Sequence, residues 1–376
     1  RVVVSGSGHA LSRPVLPDIP GLKSFEGKLF HSARWDHSFS LEGKTVAVIG
    51  TGASAIQIVP SIAPKVGRLH LFQRTAPWIV PKPDRAITAR EQARFRRVPL
   101  LQRLARQSIY LRREAFALGF VVEPRILKIG EHFVRRYLAA NVKDPALRAK
   151  LTPSYRLGCK RVLPTNDYYP AVQRENVELV TDGIQEIRAH SIVTKDGVER
   201  PVDAIVCATG FEAAEASSPF EVRGRNGIDL NAAWKDGIEA YLGTSVSGFP
   251  NMFMLVGPNT GLGHSSMILM IESQVEYVLS AIKTMRAKRW KLVDVRPDVQ
   301  RAYNARLQER LPRTVWASGC ASWYQTKNGK NTTLWPGFTF EFRWKTRRFE
   351  PTRYECVAEE RAEATSEVVT VAAAAE

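Results

Sequence analysis

Thr45-Val46-Ala47-Val48-Ile49-Gly50-Thr51-Gly52-Ala53-Ser54-Ala55 is the stretch that decides the fold. Thr45 to Ile49 is a nearly unbroken apolar run, as expected of a strand covered on both faces. Gly50-Thr51-Gly52-Ala53-Ser54-Ala55 follows at once in the form GxGxxA. In such a turn the first glycine permits the tight bend and the second lets the backbone approach a pyrophosphate. A small third residue lets helix and strand pack closely. Residues 55–63 then carry the apolar content of a helix, and Leu69-His70-Leu71-Phe72 reads as the next strand. A helix that opens on such a turn offers unpaired N–H groups and partial positive charge to phosphates. The string alone is weak evidence. Its place in strand, turn, helix, strand makes it a dinucleotide-binding unit.

The end of the second strand selects the nucleotide. An NAD site would carry Asp or Glu there for the ribose hydroxyls. This chain has Gln73-Arg74-Thr75 instead. A guanidinium is a planar fork of donors suited to a 2′-phosphate, so Arg74, with Thr75 beside it, favours NADP(H).

Working outward, Val2-Val3-Val4 reads as a buried strand, followed by a Gly/Ser turn and a Pro-rich linker from Pro14 to Gly21. Residues 83–152 read as mostly helical, broken at Pro99, Pro124 and Pro145. Ten arginines lie between Asp84 and Lys128, with Leu100, Leu101, Leu104, Ile109 and Leu111 among them, which predicts helices with a solvated basic face. Strand character returns at 177–180, 192–193 and 204–206, and a helix is expected from Met267 to Met285. The Ala/Glu-rich end is expected to be disordered.

The 376 residues carry a formal charge of +17, from 54 Lys and Arg against 37 Asp and Glu. This excess is spread along the chain and indicates a generally basic surface with sites for anionic cofactors, not a nucleic-acid-binding module. No apolar run is long enough for a membrane helix. The four cysteines, Cys159, Cys207, Cys320 and Cys356, have neither zinc-site spacing nor the pattern of a disulfide framework. The expectation is reduced thiols, no bound metal and a cytoplasmic location.

A second constellation lies before the glycine turn. Phe25, Gly27, His31, Trp35 and Asp36 fit F-x-G-x-x-x-H-x-x-x-W-D. This string resembles the fingerprint of type I Baeyer–Villiger flavin monooxygenases, the group of cyclohexanone, phenylacetone and 4-hydroxyacetophenone monooxygenases. Trp35 favours that branch over the related flavin monooxygenases that oxidise nitrogen and sulfur. Further segments are similar to the family's: Gly158-Cys159-Lys160-Arg161, Asp203 to Phe211 with its Ala208-Thr209-Gly210, Gly248 to Phe253, Gly257-Pro258-Asn259, Ser265-Ser266-Met267 and Ser322-Trp323-Tyr324.

The resemblance implies an α/β flavoprotein fold with two Rossmann-like dinucleotide-binding domains and a helical insert. The implied boundaries are an FAD-domain end and linker at 1–22, an NADPH domain at 23–82 and 157–210, and the insert at 83–156. The second part of the FAD domain would be 211–355, with the tail at 356–376. The family's first Rossmann unit, with its own glycine turn for FAD, is not in the sequence, so an N-terminally truncated chain is expected.

The implied activity is insertion of one oxygen atom of O₂ beside a ketone carbonyl, using FAD and NADPH, through a flavin peroxide. The implied partners are a small-molecule ketone and O₂, with oligomeric state left open. An anionic oxidant in a dry pocket needs a cation that keeps its proton, which makes Arg161 the catalytic candidate. The resemblance gives His31 a positioning role between domains. It places Gly50, Thr51, Gly52, Ala53, Ser54, Ala55, Arg74, Thr75 and Lys160 at NADP(H). It adds Ala208, Thr209, Gly210, Gly257, Pro258, Ser266, Met267 and Trp323 as further cofactor contacts, Trp323 on a mobile loop. The alternatives are an N- or S-oxygenating enzyme on the same scaffold, and an inactive NADP-binding remnant.

Overall fold

The computed structural model describes residues 1–8, 13–212, 218, 220–320, 322–326 and 328–359. The decisive stretch folds as expected. Strand β1 is Val3–Ser5, β2 is Lys28–His31, β3 is Thr45–Ile49 and β4 is Arg68–Phe72. Helix α1, Ala55–Ile62, connects β3 to β4. Strands β5 (Val177–Val180) and β6 (Ala204–Cys207) complete a five-stranded parallel sheet in the order β2-β6-β3-β4-β5. Val46, Val48, Leu69, Leu71, Ala204 and Val206 are all fully buried in it. Each such Val or Leu contributes ~1.5–3 kcal/mol by leaving water, which is why these strands are mostly apolar.

The helical insert leaves the sheet after β4. Its long helix α2 is Pro99–Ala117, and α3 is Leu127–Asn141. The arginine face is solvated as expected, but Leu100, Leu101, Leu104, Ile109 and Leu111 are exposed as well. Helix α2 docks instead through a polar contact. Buried Glu114 accepts from the Thr339 amide at 2.6 Å and from its hydroxyl, and Tyr110 reaches the same hydroxyl at 3.3 Å.

The C-terminal part holds β7 (Met252–Met254), the 22-residue helix α4 (Met267–Lys288) and the antiparallel pair β8 (Trp290–Val295) and β9 (Tyr354–Ala358). Strand β1 pairs in parallel with β7, joining residues 3–5 to 252–254. Val3 and Val4 are 62% and 47% exposed, against the expectation of a buried strand, because β1 has only β7 beside it in a two-stranded sheet. The tail also starts later than expected, since Cys356 to Ala358 belong to β9. Residues 360–376 lie outside the described residues.

Two further differences concern cysteine and membrane. Cys159 and Cys320 form a disulfide with Cα atoms 6.3 Å apart, so the expectation of four reduced thiols fails for this pair. Nothing in the sequence signals it, because folding alone brings together two turns 161 residues apart. Cys207 and Cys356 remain free. Among the described residues no helix is long and apolar enough to cross a membrane.

Candidate active site

The glycine turn is built against β6. Gly50 has φ of 110°, and a Cβ there would lie 2.5 Å from the Ala208 carbonyl oxygen. Only glycine fits this position without strain. Above Gly52 there is open space for at least 4 Å, which is the room a phosphate would use. The Ile56 amide donates to the Gly52 carbonyl at 3.1 Å and opens the α1 ladder. Ser54, the N-cap, makes no side-chain capping bond, while Ala55 is fully buried against the sheet. The buried Thr51 hydroxyl donates to the Thr75 carbonyl at 3.0 Å and ties this turn to the loop that carries Arg74.

Arg74 is exposed, and no carboxylate pairs with it among the described residues. Lys160 comes to it from the other end of the insert. Burial lowers the pKa of Lys160 and the nearby Arg74 charge lowers it further. Its Nζ lies 5.0 Å from the centre of the Tyr155 ring, a cation–π contact that fixes the ammonium. Arg74 and Lys160 thus lie within electrostatic reach of one another.

His31 ends β2, opposite Cys207 of β6. Its Nδ1 accepts from the Ala33 amide at 3.1 Å, and its Nε2 is buried without a hydrogen-bond partner. Burial lowers its pKa, and the Gly210 backbone, which favours the protonated ring, opposes this only in part. Its ring meets Phe211 edge-on at 5.6 Å. Here the Pro-rich segment meets the segment that follows β6. Val15 donates to the Gly210 carbonyl at 3.0 Å, the Thr209 hydroxyl donates to the Val15 carbonyl, and Pro14 bridges Phe211. The two segments thus run side by side, with His31 packed against Phe211.

The rest of the fingerprint supports the same corner. A Cβ on Gly27 would lie 2.6 Å from the Asp203 carbonyl, Trp35 packs edge-on to Phe30 at 4.9 Å, and Asp36 pairs with Lys28. The motif's residue types follow from these contacts.

Arg161 is exposed and not in the dry pocket the chemistry would require. The structure sets it beside the Trp323 loop: Tyr324, 2% exposed, feels the Arg161 charge, which opposes the burial that raises the phenol pKa. Trp323 is 42% exposed and stands 4.4 Å from the Tyr324 ring. Lys327 of this loop lies outside the described residues. Tyr324 and Tyr155 were not among the expected site residues. Tyr324 stood in the quoted Ser322-Trp323-Tyr324 string, but no pattern in the sequence marks Tyr155.

A third group surrounds the start of α4. The Ser266 hydroxyl caps it by accepting from the Ile268 amide at 3.3 Å, with Met267 next in the chain. Gly257 is packed so tightly that a Cβ would lie 2.2 Å from the Gly243 carbonyl, and Pro258 beside it is buried. Gly257 also lines a cavity of about 340 Å³ with residues 3–8, Trp234 and Met254. No contact among the described residues joins this group, or His31, directly to Arg161.

A flavin-binding monooxygenase-like family model matches residues 1–89. A Baeyer–Villiger monooxygenase of Pseudomonas aeruginosa is 51% identical over 356 residues, covering 94% of this chain and 67% of that protein. One from Streptomyces coelicolor is 50% identical, with 94% and 68% covered. Among solved structures, cyclohexanone monooxygenase from Rhodococcus sp. Phi1 bound to NADP⁺ superposes with a TM-score of 0.82 at 26% identity, covering 95% of this chain and 75% of that one. OTEMO in complex with FAD and NADP gives 0.82 at 27% identity, with the same coverage. Half of its residues are shared with two such enzymes over nearly its whole length, and the chain belongs to the Baeyer–Villiger monooxygenase family.

Proposed function

We propose that this chain is an FAD- and NADPH-dependent monooxygenase that inserts one oxygen atom of O₂ beside the carbonyl of a small ketone, giving an ester or lactone. The observation that carries the NADPH part is the hydrogen bond from Thr51 of the glycine turn to the Thr75 carbonyl, which holds the Arg74 loop against that turn, with Lys160 in electrostatic reach of Arg74. FAD, when bound, supplies the redox chemistry and the activation of O₂. Ala208 to Gly210, Gly257, Pro258, Ser266 and Met267 would hold it. Their fit rests on the α4 N-terminus, which offers N–H donors to an anionic group, and on the cavity at Gly257.

In this reading the chain's own residues bind and orient. The Gly52 backbone and the α1 N-terminus take the NADP(H) pyrophosphate. Arg74 and Lys160 take the 2′-phosphate, Lys160 steadied on Tyr155. His31 keeps a neutral ring against Gly210 and Phe211 and sets the angle of the domain crossing. Arg161, at the surface beside the loop of Trp323 and Tyr324, supplies positive charge where negative charge develops on oxygen. An NADPH-consuming enzyme works where that cofactor is regenerated, which favours the cytoplasm.

The test is conversion of a panel of linear and cyclic ketones by the purified chain with FAD, NADPH and ¹⁸O₂, read by mass spectrometry. Ester or lactone carrying one ¹⁸O atom is the expected product. Sulfoxide from added thioethers, with no ester from any ketone, would overturn the proposal.

A further inference from the structure

Cys159 and Cys320 join two segments that the site needs together. Cys159 directly precedes Lys160 and Arg161, and Cys320 stands three residues before Trp323. We infer that Cys159 and Cys320 are positioning residues for the reaction: their disulfide clamps the Trp323–Tyr324 loop to the Lys160–Arg161 turn and so sets the affinity of the nicotinamide cofactor. This inference rests on the assignment of those four residues above.

Chain length makes the clamp effective. Three residues span at most ~10 Å, so with the bridge closed Trp323 cannot swing far from the turn that carries both cations. Opening the bridge leaves only non-covalent ties at this end of the loop. Among the described residues these include buried Tyr324 in a core cluster with Phe120, Trp316 and Leu334, Gln325 donating to the Trp316 carbonyl at 3.2 Å and bridging Asn331, the electrostatic contact of Arg161 with Tyr324, and the Thr326–Lys330 turn. Each of the hydrogen bonds is worth about 1 kcal/mol and can open transiently, so Trp323, which is 42% exposed, gains freedom even while Tyr324 stays packed.

The bridge is reachable from one side only. Cys159 is fully buried. Cys320 is partly exposed and lines an open groove of about 440 Å³, together with Lys128, Arg135, Tyr155 and Arg156. A dithiol thiolate entering this groove attacks Cys320 Sγ and forms a mixed disulfide, and the Cys159–Cys320 bond breaks. Cys159 leaves as a thiolate and takes a proton from water. The reagent's second thiolate then displaces Cys320, which is protonated in turn. Two electrons pass to the protein, and the dithiol departs as its cyclic disulfide. The cations flanking the groove attract the thiolate and favour the first step. Cofactor affinity therefore follows the thiol poise of the surroundings.

The test compares the whole chain before and after dithiothreitol, after reoxidation, and as Cys320→Ser. Thiol titration in denaturant should find two free cysteines before reduction and four after. Reduction should speed amide hydrogen exchange in residues 318–326 and raise the NADPH dissociation constant by about fivefold or more. Reoxidation should restore both. Cys320→Ser should show the loose values with or without the reductant. Four titratable thiols in the unreduced protein would overturn the inference, and so would exchange and affinity that ignore reduction. If NADPH binds in neither state, the cofactor-site assignment fails while the exchange data still decide whether the clamp exists.

Discussion

Gly50 and Ala208 stand so close that a single methyl group on Gly50 would lie 2.5 Å from the Ala208 carbonyl oxygen. This contact locks the glycine turn to the end of β6. Gly50→Ala adds both that clash and a positive φ of 110°. The expected result is a loss of at least ~2 kcal/mol in stability, seen as a lower melting temperature, together with weaker NADPH binding. Gly52→Ala, where nothing lies within 4 Å, should melt like the parent. If both variants melt alike, the packing argument fails.

Arg74 and Lys160 share one phosphate in the proposed site, so their removal should discriminate between nucleotides. Arg74→Ala should raise KM for NADPH by about 10–100-fold, the equivalent of a lost charge-assisted hydrogen bond, and leave KM for NADH nearly unchanged. Lys160→Ala should act in the same direction. Parallel effects on both nucleotides would contradict the clamp.

Buried Glu114 holds the insert to the segment around Thr339. It accepts from the Thr339 amide at 2.6 Å and the Phe340 amide at 3.4 Å, and from the Thr339 hydroxyl. Burial alone would raise its pKa, but the hydrogen bonds from Thr339 and Phe340, with His264 3.8 Å away, outweigh it and the net shift is downward. Glu114→Ala leaves those donors without an acceptor and should cost about 2–3 kcal/mol in chemical denaturation. A loss below ~0.5 kcal/mol would show that α2 is held by something else.

His31 and His70 both have pKa values lowered by burial. The unfolded chain therefore binds protons near pH 6.5 that the folded chain refuses. Stability is complete above that pH and declines as pH falls from it toward the folded values. Thermal melts between pH 8 and pH 5 should show this decline, and His31→Asn should make it shallower. An unchanged slope in His31→Asn would remove His31 from the account.

The strand–turn–helix–strand unit was legible because its signals are local: Gly50, Ala55 and the apolar run at 45–49 sit within one short stretch. The fingerprint around His31 was legible as a pattern, while its cause, the packing of Gly27 on Asp203 and of Trp35 on Phe30, needed the fold. What stayed hidden depends on long-range contact. Cys159 and Cys320 are 161 residues apart, and neither carries a sign of the other. Helix α2 misled in a different way. Its leucines have helical spacing, yet the docking residue is a glutamate, because Thr339 and Phe340 offer it hydrogen-bond donors.

Arg161 gives the sharpest separation of binding from chemistry. It is exposed and lies in electrostatic reach of buried Tyr324. Arg161→Ala removes the charge without touching the Arg74–Lys160 pair or the Gly50 turn. NADPH binding and consumption should therefore persist, while ester formation falls by a factor of about 100 or more, as when one oxyanion-stabilising donor is lost. The two readings are separable in one vessel by following NADPH absorbance and product together. Arg161→Lys tests the form of the charge. A compact ammonium restores the sign but not the planar fork, so recovery should be partial. Full ester yield from Arg161→Ala would move the charge-stabilising role to another residue. Loss of NADPH consumption in the same variant would make Arg161 a third member of the nucleotide clamp.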